Sequence, residues 1–145
     1  MNNKGFLFTE SLMGLYLIGI IAVSCLPILN TALGNIKKTK DKMNMLLIAE
    51  STIEQIKSFD YNWTDEEYIF DMNIEELIEI FIVSEAIAIR LPFNNNQEYD
   101  YQCIIYKENS SKDLWKIQVE VASCQGNKRI KTVDLLTFVP IPKKR

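Results

Sequence analysis

The sequence contains no histidine. That absence removes the commonest general base, the usual partner of a catalytic nucleophile and the commonest metal ligand. Cysteine is scarce as well: Cys25, Cys103 and Cys124 are too few and too widely spaced for paired C-x-x-C metal loops. No glycine-rich phosphate loop, G-x-S-x-G elbow or kinase signature occurs. Surplus positive charge is missing too. The formal net charge is -3 and the pI about 5.1, whereas a nucleic-acid binder needs a basic surface. The expected role is therefore non-enzymatic, with no cofactor and no metal.

Formal charge is also absent from Ser11 to Ile36. A helix of about 26 residues is roughly 39 Å long, more than the roughly 30 Å of a bilayer's hydrocarbon core. Gly14, Gly19 and Pro27 interrupt this run; in water they cost about 1 kcal/mol per glycine and 3 for proline, but packed membrane helices tolerate them. The polar start, Met1 to Gly5, carries one lysine, and nothing like A-x-A follows the apolar run. That is a poor match to a secretory signal, so the segment is expected to stay attached.

One carboxylate, Glu10, sits where the apolar run begins. A charge beside a membrane span is expensive and usually marks function, and no basic residue on the same helix is in reach of it. Glu10 therefore needs a partner from elsewhere. Beyond Gly34 comes the basic cluster Lys37-Lys38-Thr39-Lys40-Asp41-Lys42. Its bias is toward a cytoplasmic C-terminal side, against which the amino-terminal side offers only Lys4 and the α-amino group. The cluster reads as a headgroup-facing collar, with DNA contact as the lesser reading.

From Met43 to Phe59, Leu46, Ala49, Ile53 and Ile56, flanked by Met45, Ile48 and Thr52, recur at three-to-four spacing. One long helix is expected from about Phe8 to Phe59, bent near Pro27. Asp60 to Asn73 reads as a loop with a helical turn capped by Thr64 and Glu67, and Asn73 with Glu76 opens a helix, Ile74 to Ile82, presenting Ile74, Leu77, Ile78 and Phe81. Ala86 to Leu91 alternates as a strand. Tyr99 to Tyr106, Leu114 to Ala122 and Ile130 to Val139 read as three more. In the middle one Trp115, Ile117, Val119 and Val121 alternate with Lys116, Gln118 and Glu120, so one face is buried and one wet. The fold class is α+β: a long N-terminal hydrophobic helix whose C-terminal half packs on a small antiparallel sheet. A hairpin turning at Ser110-Ser111 places Cys103 opposite Gln118, roughly 20 Å along the strand from Cys124, so a Cys103–Cys124 disulfide needs a bulge or a different turn. Asp65, Glu66, Glu67, Asp71, Glu75, Glu76 and Glu79 read as solvated and capping residues rather than a convergent acid cluster.

Lys4-Gly5-Phe6-Leu7-Phe8-Thr9-Glu10, followed by an apolar helix with Pro27, resembles the amino terminus of type IV pilins and of the pseudopilins of secretion and DNA-uptake machines. The resemblance covers about the first 35 residues. It implies a pilin-like fold and cleavage by a prepilin peptidase between Gly5 and Phe6. It also implies N-methylation of Phe6, an assembly role for Glu10 and a helix kink at Pro27. Leu7 and Thr9 depart from the family, exchanging its usual hydroxyl and aliphatic characters. The free amine on Phe6 then becomes a cation that Glu10 of a neighbouring subunit can meet, which fixes the stagger between chains. The implied organisation is a leader, 1–5, a transmembrane and filament-core helix, 6–36, and an exposed α+β domain, 37–145. Membrane lipid before assembly, other pilin or pseudopilin subunits, and a membrane platform with its ATPase are the implied partners. The implied location is the cytoplasmic membrane with the C-terminal domain outside, then a surface, periplasmic or cell-wall filament. A minor pilin or pseudopilin is preferred over a major subunit. The rival is a bitopic, signal-anchored protein whose extracytoplasmic domain binds a ligand or protein.

Overall fold

The computed structural model describes residues 4–61, 67–93, 99–124 and 132–143. Two compact units divide the chain, Met1–Lys40 and Asp41–Arg145, and helix α1, Lys4–Ser58, runs through both sequences. It is continuous through Gly14, Gly19, Pro27 and Gly34. In the first unit every side chain from 5 to 36 is exposed.

In the second unit α1 turns amphipathic. Met45, Ala49, Thr52 and Ile56 are buried, at spacings of four, three and four, which keeps them on one face of a helix of 3.6 residues per turn. The centre of this face lies one residue from the one expected, since Leu46 and Ile53 are only half-buried. The shift follows from Thr52, whose hydroxyl finds a partner in the Cys103 thiol and can therefore occupy the middle of the core.

A short hairpin follows, β1 (Tyr68–Ile69) with β2 (Met72–Asn73), pairing Ile69 with Met72 across Phe70 and Asp71. Phe70 takes a positive φ of 57°, an uncommon conformation for a bulky residue, and its ring meets Tyr99 edge to face at 5.8 Å. The expected cap at Thr64 lies outside the described residues. Asn73 does cap helix α2, Ile74–Val83, accepting from Glu75 N at 2.8 Å, with Glu75 and Glu76 in the first turn; both features favour a helix start. Its buried residues are Ile74, Leu77, Ile78 and Phe81, the face read from the sequence.

Strands β3 (Ala86–Leu91), β4 (Tyr101–Asn109), β5 (Leu114–Ser123) and β6 (Thr132–Pro140) form an antiparallel meander in that order. Ile89, Leu91, Cys103, Ile105, Trp115, Ile117, Val119, Val121, Val133 and Val139 make its buried face. They share one core with the second part of α1 and with α2. The long apolar helix thus packs its C-terminal part on a small antiparallel sheet, the α+β arrangement read from the sequence.

The β4–β5 register differs from the expected one by three residues: Cys103 lies opposite Val121, not Gln118. Both Ser110 N and Ser111 N donate to Leu114 O, so the loop is longer than a tight turn at Ser110-Ser111 and its midpoint moves on. Even so, Cys124 is three residues beyond Val121, roughly 10 Å along the strand, where a disulfide needs Cα atoms within about 7 Å. Cys103 and Cys124 are both free thiols, the first buried and the second exposed.

Candidate functional site

The residues singled out by the sequence fall on the first turns of α1. Phe6 and Glu10, four apart, lie on one face of the helix and roughly 6 Å apart along its axis. Phe6 is 74% exposed and Glu10 is exposed. Among the described side chains no cation lies within ion-pair distance of Glu10; the described ion pairs include Lys116 with Glu108 and Lys143 with Asp113, both on the sheet side of the chain. A Cβ built on Gly5 would meet nothing within 4 Å.

Every serine and threonine hydroxyl between Gly5 and Ile36 turns back on its own helix. Thr9 Oγ1 donates to Phe6 O at 2.8 Å, Ser11 Oγ to Leu7 O at 2.9 Å, Ser24 Oγ to Ile20 O at 2.8 Å and Thr31 Oγ1 to Pro27 O at 2.9 Å. These donors need no water, which suits an apolar surrounding where unsatisfied groups are costly. Pro27 has no N–H to offer the Val23 carbonyl, one turn earlier. The segment carries a window of mean hydropathy 2.4 with none of it buried, so the helix is long and apolar enough to cross a membrane. A Cβ at Gly14, Gly19 or Gly34 would likewise meet nothing within 4 Å. The apolar half-helix is therefore exposed along its whole length from Gly5 to Ile36.

The second unit carries polar groups of another kind. The acidic side chains do local work: Asp71 accepts from Phe93 N at 3.1 Å, and Glu75 and Glu76 sit in the first turn of α2; Glu67 contributes its backbone carbonyl, which accepts from Ile74 N at 3.0 Å. Asp65 and Glu66 lie outside the described residues. Burial, then Glu79 and Glu75, push the Tyr61 hydroxyl above its ordinary value. No group of His, Cys, Asp or Glu among the described residues could hold a metal ion.

Lys107 was not singled out by the sequence reading, and it is the one fully buried cation described. Its Nζ donates to Phe81 O at 2.6 Å and to Ser84 O, and stands 5.2 Å from the centre of the Trp115 ring. Helix α2 has no basic residue in its own last turn; Lys107 reaches in from β4 to supply the charge that a helix C-terminus favours. The signal was present in the alternation Cys103, Ile105, Lys107, which puts a lysine on the apolar face of a strand.

Searches of protein-family models, of curated proteins and of solved structures return no match to this chain. Its functional reading rests on the residues themselves.

Proposed function

We propose that this chain is a structural subunit of a type IV pilus or of a pilus-like pseudopilus filament. A prepilin peptidase cleaves it between Gly5 and Phe6, and it assembles through its N-terminal helix. The observation that carries the proposal is Glu10: an exposed carboxylate, without a cation in reach among the described side chains, at the head of a run of helix free of charge from Ser11 to Ile36. Leaving that charge unpaired in lipid is costly, so its retention calls for a partner supplied by another molecule.

Cleavage at Gly5 creates such a partner. The α-amino group of Phe6, with an intrinsic pKa of about 8, is cationic at neutral pH. Within one chain the amine heads the same helix as Glu10; between staggered chains the two can meet directly. Any other stagger leaves a charge unpaired in an apolar setting, so the pair sets register more than it adds stability. Open glycines at 14 and 19 suit close helix approach in the filament core. The second unit, with its sheet and two short elements, is then the part displayed outside the membrane.

Mass spectrometry of the amino terminus tests the reading. Loss of Met1 to Gly5 with a methyl group on Phe6 is the expected result. An intact terminus in cells that process other prepilins overturns it in favour of a bitopic anchored protein.

A further inference from the structure

The four-stranded sheet ends in two open edges: among the described residues β3 pairs only with β4, and β6 only with β5. In an antiparallel ladder, alternate residues direct their backbone groups to opposite sides. Asn109 N donates to Glu85 O, so by alternation Ile87, Ile89 and Leu91 bond to β4 and Ala86, Ala88 and Arg90 face the open edge. Likewise Ile141 N donates to Asp113 O. Val133, Leu135, Thr137 and Val139 therefore bond to β5, while Asp134, Leu136 and Phe138 turn their N–H and C=O groups outward.

Both outward sets carry side chains on the face away from the core. This parity comes from an even number of strands, and it means that copies of the sheet can be joined edge to edge without exchanging faces. Strand direction also fits, because β3 and β6 run antiparallel in this meander. We propose that the open edge of β3 takes β6 of a second copy of this chain, pairing Ala86 with Phe138, Ala88 with Leu136 and Arg90 with Asp134.

Two complementarities favour this register. Leu136 and Phe138 are large apolar side chains left 51% exposed. Opposite them, Ala86 and Ala88 are small and border a depression of about 390 Å³ with Tyr106, Lys116 and Gln118. Arg90 and Asp134, both exposed, bring opposite charges together in the same alignment. A groove of about 460 Å³ runs along the same edge, lined by Ile80, Ile87, Ala88, Arg90, Pro92 and Phe93, and leaves room for an added strand. A single added strand buries little area, so the contact depends on a high local concentration of copies. In this it rests on the filament reading above, to which it adds a second contact.

The test uses two tagged full-length chains, co-expressed, both carrying Cys25→Ser and Cys124→Ser. One has Ala88→Cys, the other Leu136→Cys, and membranes and filaments are oxidised before electrophoresis. A directly opposed pair lies within disulfide reach, so the mixed dimer exceeds both like-with-like dimers several-fold. Arg90→Glu in the first chain lowers its yield several-fold, and Asp134→Arg in the second restores it. Equal yields of all three dimers, no mixed dimer while both new thiols react with a maleimide, or a charge swap that fails to restore, each overturns the proposal. Reaction of buried Cys103 with maleimide marks an unfolded variant, for which Ala86→Cys with Phe138→Cys tests the same register. Filaments without the mixed dimer sink the edge contact alone. A mixed dimer between chains with uncleaved amino termini sinks the filament reading alone.

Discussion

Lys107 donates from Nζ to the carbonyl oxygen of Phe81 at 2.6 Å, so a strand residue closes a helix that lies 26 positions earlier in the chain. The Phe81 and Trp115 rings meet edge to face at 5.7 Å beside it, and the ammonium faces the Trp115 ring. Helix end, strand and aromatic pair are thereby one unit of the core.

Replacing the ammonium without emptying its space separates charge from packing. Lys107→Met leaves the Phe81 and Ser84 carbonyls without their donor, and hydrogen bonds to charged groups contribute about 1.5–3 kcal/mol each. Relief of burying the charge offsets part of that, as burial holds the Lys107 pKa below its ordinary value while Glu85 draws it partly back. The expected net loss is about 1–3 kcal/mol, read by urea unfolding of the detergent-solubilised chain through tryptophan fluorescence. A variant as stable as the wild type would mean that the lysine is tolerated at α2's end rather than used there.

Alkaline pH bears on the neighbouring core through Cys103. Burial pushes its thiol up to about 12, partly countered by its hydrogen bond with Thr52, whereas a thiol in the unfolded chain titrates near 8.5. The folded form keeps a proton that the unfolded form loses, so the stability this group contributes is complete below about pH 8.5 and declines by about 1.4 kcal/mol per pH unit toward 12. Lys107 acts with the opposite sign: its lowered pKa makes the unfolded chain the better proton binder just below about 10.4, which raises stability with pH there. Comparing wild type with Cys103→Ala under reducing conditions isolates the thiol. The expected outcome is a shallower decline between pH 8.5 and 10.5 in the variant; parallel curves would show that the thiolate is accommodated in the fold.

Asn73 gives a local test of how α2 begins. Its side chain accepts from Glu75 N at 2.8 Å, and Asn73→Ala removes that acceptor at a cost of about 1 kcal/mol, whereas Asn73→Asp keeps it. Unfolding midpoints of the two variants should therefore diverge, with Asn73→Asp staying close to wild type. Equal midpoints would place the start of α2 in its apolar face rather than in its cap.

Much of this architecture was legible because local pattern and tertiary packing agree. The face Ile74, Leu77, Ile78 and Phe81 of α2 is the buried one, and the alternation of Trp115, Ile117, Val119 and Val121 is the core side of β5. Misreadings fell where long-range partners decide. Thr52 belongs at the centre of the buried face of α1 only because Cys103 waits across the interface for its hydroxyl. Phe70 occupies a left-handed turn position with neither glycine nor asparagine to announce it, held against Tyr99. The β4–β5 register moved because two serines share one carbonyl in the loop. Lys107 stands on the apolar side of β4 by alternation, but the carbonyls that accept from it lie on α2 and beyond, so its role could not be read from β4 alone. At the amino terminus the opposite holds. Gly5, Phe6, Glu10 and Pro27 are as plain in the sequence as in the fold, where they lie along one exposed stretch of α1; on the proposed filament reading their contacts are made with other chains.

Glu10 carries the sharpest prediction, and two substitutions divide its possible roles. Glu10→Ala removes both charge and hydrogen-bond acceptor, while Glu10→Gln keeps the shape and the acceptor without the charge. Because Glu10 lies in the first compact unit, neither change should alter unfolding of the second, and Trp115 fluorescence checks this directly. If Glu10 pairs with the Phe6 amine of a neighbour, both variants lose incorporation into filaments by at least about tenfold, since a charge-assisted bond of roughly 1.5–3 kcal/mol recurs at every subunit. Cleavage after Gly5 should continue in both, because the scissile bond precedes the site. Normal incorporation of Glu10→Gln would show that a hydrogen bond suffices and charge does not set the stagger. Normal incorporation of both would remove Glu10 from assembly altogether, leaving its carboxylate as a residue at the headgroup boundary of an ordinary anchor.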